Sequence, residues 1–132
     1  AFCERLASKL PPAPVGLRVS GDPDAEVARV AVLGGAGDGE FGAARAAGAD
    51  VYVTADLRHH PAIESREEDP AEKPLFLVDA GHWASEWLWL EHASERLRDA
   101  VAAEGADLEV AVSRRRTDPW DFLVSTSEGE QQ

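Results

Sequence analysis

The sequence predicts an α/β fold, a mixed sheet flanked by helices. Three observations carry that expectation. Short β-branched apolar runs, "VARVAVL" at 27–33, "DVYVT" at 50–54 and "LFLVD" at 75–79, leave no room for helices. Stretches of helical periodicity lie between and after them, and Gly- or Pro-rich turns mark the junctions. With 132 residues, 44% of them hydrophobic, the chain has enough apolar material for one core.

The elements follow in order. Phe2, Leu6 and Leu10 recur at the spacing of one helix face, and "PPAP" at 11–14 ends that helix because proline lacks an N–H. "VGLRV" at 15–19 alternates apolar with small or polar residues and reads as a strand; "SGDPD" at 20–24 is turn chemistry. Strand 27–33 runs into "GGAGDGE", followed by an Ala-rich helix that ends at Gly48. Strand 50–54 leads to "LRHHPAIESREE", a short helix or turn, and then to an acidic, proline-marked loop through residue 74, read as mobile. Strand 75–79 precedes a long amphipathic helix at 82–105, and "DLEVAVS" at 107–113 reads as a last strand. Residues 1–124 are read as a single α/β domain or one lobe of a larger one, with a disordered polar tail at 125–132.

Charge and cysteine content narrow the function classes. Thirteen Lys plus Arg against 25 Asp plus Glu give a formal charge of −12. Such a chain repels a phosphate backbone, so nucleic acid is not an expected partner; "SRRRTDP" at 113–119 is the one basic island. Cys3 stands alone, which rules out an internal disulfide and suits a reducing compartment. No run of 18 apolar residues exists, so no membrane partner is expected and the location is read as cytoplasmic. The chain has no methionine and opens in the middle of a helical pattern, which reads as the back end of a longer protein.

Ligands of α/β sheets bind outside the carboxyl ends of the strands. Here three successive strands end in loops rich in glycine, aspartate, histidine and glutamate. The first loop carries Gly34, Gly35, Gly37 and Gly39, which either form a tight packed turn or bound a cavity; the spacing fits neither the Rossmann nor the P-loop pattern. The second carries Asp56, His59 and His60, which are either exposed turn residues or metal ligands and proton carriers. The third carries Gly81, His82 and Glu86. An imidazole and a carboxylate at i and i+4 lie one above the other on a helix, so both can meet one cation. The alternative is a helix N-terminus dressed with an acid that suits its dipole. A two-residue clasp is incomplete, because such metals take three or more protein ligands or fill the remainder with water. His92 reads as structural, and the tryptophans at 83, 87 and 89 read as core or subunit contacts, with purine stacking a lesser possibility.

"VAVLGGAGDGEFGAARAAGADVYVTADLRHHPAIES", "FLVDAGHWASEW" and "SRRRTDPWDF", in that order, resemble the second half of the Nif-three-like dinuclear metal-binding proteins, the GTP cyclohydrolase 1 type 2 homologues. The likeness spans about residues 27–122. It implies one lobe of a Nif-three-like fold, assembly into a toroidal hexamer, and two divalent ions (zinc, iron or manganese) in an inward cavity. The Gly-His-x-x-x-Glu motif falls on Gly81, His82 and Glu86, implying His82 and Glu86 as metal ligands. The middle motif falls on Thr54, Asp56 and His60, with Ala55 where the family has glycine. It implies that Asp56 and His60 orient water or move protons, with Gly35, Gly37, His59 and Gly81 lining the cavity. The family's remaining ligands, a His-His pair and an aspartate, belong to a first half absent from this sequence.

Two functions follow as expectations. One is a metal-dependent hydrolase acting on a small, nucleotide-like substrate; the other is a metal-binding or regulatory assembly module without turnover. A third possibility, from pattern alone, is a nucleotide-binding α/β domain that uses the glycine-rich loop.

Overall fold

The computed structural model describes residues 1–70 and 73–125. Its elements are α1 (Phe2–Ala7), β1 (Arg18–Ser20), β2 (Val30–Ala36), α2 (Phe41–Ala46), β3 (Val51–Ala55), α3 (His59–Glu68), β4 (Phe76–Asp79), α4 (His82–Trp87) and α5 (Trp89–Ala103). The four strands form one mixed sheet in the order β1-β4-β3-β2. β2, β3 and β4 run parallel, and β1 pairs antiparallel with β4.

The central strand β3 is buried at every position, which explains its unbroken β-branched and aromatic sequence. Its residues alternate between two cores. Tyr52 joins Leu77, Leu75, Phe41, Ala44 and Ala49 on one face, where α2 and Ala62 of α3 pack. Val51 and Val53 join Val78 and Ala80 on the other, under Phe2, Leu6 and Leu10. The sheet is therefore covered on both faces, as the alternation of short strands and helices predicts.

Several boundaries differ from those read in the sequence. The first strand starts at Arg18, not residue 15, because Gly16 at φ +63 closes a turn onto Ala13. β2 begins at Val30 since the Asp50 carboxylate holds the N–H groups of Ala28 and Arg29 instead. It then continues through Gly34 and Gly35 to Ala36, with an irregular register between Val32 and Ala36. The long helix expected at 82–105 is interrupted at Leu88, giving α4 and α5.

Residues 107–113 are a correction of a different kind, because no ladder forms there. The segment runs back along the helices, where Arg98 donates to the Val110 carbonyl (2.8 Å) and Trp87 Nε1 to that of Ser113 (3.0 Å). Alternation supplied a strand-like face, but helix side chains take up carbonyls that a neighbouring strand would need. At the acidic loop read as mobile, Asp69 is fixed by Arg45 Nε at 2.7 Å and accepts from Leu75 N, while residues 71 and 72 lie outside the described residues. The polar tail lies outside them from residue 126 onward. No helix among the described residues is long and apolar enough to cross a membrane.

Candidate functional site

Parallel pairing puts the carboxyl ends of β2, β3 and β4 at one edge of the sheet. The three loops singled out in the sequence meet there. Asp56, directly after β3, has φ 53. Aspartate tolerates this left-handed conformation better than most side chains, at a cost of about 1–3 kcal/mol. Its Oδ2 lies 2.7 Å from His82 Nδ1. On the other side of the ring, His82 Nε2 lies 2.9 Å from Glu86 Oε1. One imidazole thus joins a carboxylate from the β3 loop to another one turn along α4. Glu86 sits in the last turn of α4, where the helix dipole does not favour an acid.

The hydrogen bond that His82 donates to Asp56 raises the His82 pKa above the ordinary imidazole value; partial burial opposes this, and the charges of Glu86 and Asp56 reinforce it. Both ring nitrogens face carboxylates, so the protonated ring donates from Nδ1 to Asp56 and from Nε2 to Glu86; a neutral ring that keeps its proton on Nδ1 leaves the Nε2 lone pair for a cation.

Gly35 makes room for this pair. Its φ is +75, and a Cβ there would stand 3.2 Å from Glu86 Oε1 and 3.8 Å from His82 Nε2. Gly37 serves a different contact, since a Cβ there would collide with Thr54 Oγ1 and Tyr52 OH. Both side chains are used: Thr54 Oγ1 donates to the Gly35 carbonyl (2.9 Å) and Tyr52 OH to that of Gly37 (3.0 Å). The glycine-rich loop is therefore stitched to β3, and its bare backbone serves close approach inside the protein.

Two residues of the site were not singled out in the sequence. Asp79, 5% exposed, accepts from Leu57 N at 2.9 Å and Gly81 N at 3.0 Å, and pairs with the Arg18 guanidinium. It fastens the loop that carries Asp56 to the loop that carries His82. A charged residue closing a buried apolar strand was the available signal.

A cavity of about 770 Å³ opens beside the triad. Asp56, Asp79, Gly81, His82 and Glu86 line it, and Val15, Gly16, Trp83, Pro119 and Trp120 contribute apolar surface. Among the described residues, Asp118 brings the carboxylates at the cavity to four, against the single guanidinium of Arg18. Such a field favours a cation. His59 lines a separate groove, and His60, exposed at the start of α3, stacks edge-on against it at 5.3 Å between centroids. Neither histidine lines the larger cavity. His92 lies on the flank of α5 beside Trp89.

The donor chemistry suits an ion in part. Two donors about 2.1 Å from one ion, the usual reach of imidazole and carboxylate on zinc, sit about 3 Å apart as neighbours. His82 Nε2 and Glu86 Oε1 have that separation, and Asp56 holds the far side of the ring as outer carboxylates do in metal sites. Among the described residues, however, no group of three or more His, Cys, Asp or Glu is arranged to hold a metal. The chain presents two donors rather than a closed site.

A profile of the Duf34/NIF3 (NGG1p interacting factor 3) family matches residues 1–119. The chain belongs to the Duf34/NIF3 family. Among its Duf34/NIF3 relatives, a Streptomyces coelicolor protein named GTP cyclohydrolase 1 type 2 homolog is 49% identical over 123 residues, covering 93% of this chain and 42% of the relative. A Mycobacterium tuberculosis protein of the same name is 48% identical over 121 residues, covering 92% of this chain and 30% of the relative. The crystal structure of a Bacillus cereus protein related to NIF3 superposes with a TM-score of 0.76 at 32% identity, over 92% of this chain and 32% of that one. The chain thus spans well under half the length of these Duf34/NIF3 proteins.

Proposed function

We propose that this chain supplies two donors, His82 Nε2 and Glu86 Oε1, to a divalent-metal centre, and that Asp56 holds the imidazole in the binding tautomer. The single observation that supports this reading is the linkage of both carboxylates through one histidine ring, with Gly35 bare beside it. Zinc, iron and manganese all accept this nitrogen and oxygen pair. When bound, such an ion lowers the pKa of coordinated water toward about 7 and supplies hydroxide for hydrolysis.

The chain's own groups define the rest. Asp56 and Asp79 keep the two loops in register, while Trp83 and Trp120 offer flat apolar surface at the cavity. The cavity is within the size range of small-molecule sites and could take a nucleotide-like substrate, the class suggested by the name of the Streptomyces relative. Its four carboxylates would repel a substrate's phosphates until a cation offsets them. The activity proposed is therefore that of a metal-dependent hydrolase.

A second reading, a metal-binding or assembly module without turnover, is favoured by the two-donor count among the described residues. In this reading further donors come from another segment or from another copy in a homo-oligomer, a hexamer by the family likeness. Elemental analysis of chain loaded with Zn²⁺ or Mn²⁺ tests the shared claim. His82→Ala should remove the bound metal and Glu86→Gln should weaken it, whereas equal metal in both variants and the parent would refute the site. Turnover of a purine triphosphate by the loaded parent, lost in His82→Ala, selects the hydrolase; its absence selects the module.

A further inference from the structure

A second concavity lies between the β1 edge and α3, separate from the proposed metal centre. It has a volume of about 330 Å³. His59, Ala62, Ile63 and Arg66 present one stripe of α3 to it, at the i, i+3, i+4, i+7 spacing of a helix face. Arg18 and Val19 approach from β1, and Leu57 and Leu77 also line it.

The chemistry of this groove is opposite to that of the chain as a whole. Arg18, Arg58 and Arg66 line it together with His59, and among the described residues Asp79 is its only carboxylate. Asp79 is already engaged by Arg18 and by the amides of Leu57 and Gly81. Arg58 is held by Asp38, which is not among the lining residues. Among the described residues, no carboxylate is ion-paired with Arg66. Val19 and Ile63, which line the groove with these cations, are 53% and 40% exposed, so apolar surface lies open beside the basic groups.

From these observations we infer that the groove binds a small organic anion, a phosphomonoester or carboxylate with an apolar body. The guanidinium fork matches the paired oxygens of either headgroup. The exposed Val19 and Ile63 side chains take the body, whose burial removes apolar surface from water. The volume lies at the lower end of the range for small-molecule sites. A net charge of −12 disfavours a long polyanion over the surrounding surface and leaves a compact anion as the ligand class. Among the described residues, the groove shares only Arg18 and Asp79 with the larger cavity, so the two sites meet at one ion pair.

Isothermal titration of the full chain with phenyl phosphate tests this, with inorganic phosphate as the headgroup alone. Phenyl phosphate should bind saturably and more tightly than inorganic phosphate, and added salt should weaken it. Arg66→Ala should weaken binding about tenfold or more, with partial recovery in Arg66→Lys. Ile63→Asp should abolish it by placing a like charge in the groove, while circular dichroism verifies that each variant is folded. His82→Ala should leave this binding unchanged, which separates it from the metal site. Absence of saturable binding, equal affinity for the two probes, or loss in His82→Ala without loss in Arg66→Ala would overturn the assignment.

Discussion

A Cβ on Gly35 would stand 3.2 Å from Glu86 Oε1, tighter than ordinary van der Waals contact. The glycine also holds φ +75, where an L side chain costs about 1–2 kcal/mol. Gly35→Ala should therefore lower stability by about that amount and push Glu86 away from His82. Denaturant unfolding should show the first effect and calorimetric metal titration the second. Gly39→Ala is the control, because a Cβ there meets nothing within 4 Å.

Asp56 governs His82 in two ways that Asp56→Asn should separate. In the metal-free chain His82 titrates above 6.5, chiefly because its ring donates to Asp56. A pKa raised on folding means that the stabilisation is fully present below 6.5 and is lost as pH rises through the folded value. Asp56→Asn should lower the folded value and flatten that dependence, as read by NMR of the ring. Protons compete with metal for Nε2, so uptake should strengthen as pH rises. The variant should bind metal about 10–100-fold more weakly, the usual effect of losing an outer carboxylate.

Asp79 holds both loops of the site without lining up as a donor to the proposed ion. Asp79→Ala leaves the N–H groups of Leu57 and Gly81 without their acceptor and releases Arg18. Unfolding in urea should show a loss of about 2–3 kcal/mol, the cost of unmade hydrogen bonds at a part-buried site. His82 should also lose its restraint toward Asp56, so the ring's pKa should fall back toward 6.5.

Asp50 acts at the opposite end of the sheet. The N–H groups of Arg29 and Ala28 donate to its Oδ2 and hold its pKa below 3.8. A pKa depressed on folding contributes stability that is present above 3.8 and is lost as pH falls through the folded value. The stability gap between the parent and Asp50→Asn should be open at neutral pH and close in acid, as followed by denaturation across an acid series.

What the sequence disclosed depended on how local each relationship is. β3 and β4 were legible because burial on both faces demands an unbroken β-branched or apolar run. His82 and Glu86 were legible from one helical turn, and Asp56 from its place at the end of a strand. The 107–113 segment misled because alternation describes a face and does not reveal whether a neighbouring strand exists. Arg18 and Asp79 were missed because their pairing spans 61 positions and depends on β1 lying antiparallel to β4. The roles of the glycines also needed coordinates. Gly35 and Gly37 look alike in sequence, yet one faces Glu86 and the other Thr54 and Tyr52.

Anomalous diffraction from crystals grown with Zn²⁺ or Mn²⁺ gives the most direct measurement. The expected result is a peak bonded to both His82 Nε2 and Glu86 Oε1, with Nδ1 still donating to Asp56 on the far side of the ring. A peak bound elsewhere, or no peak within bonding distance of these two atoms at saturating metal, would contradict it.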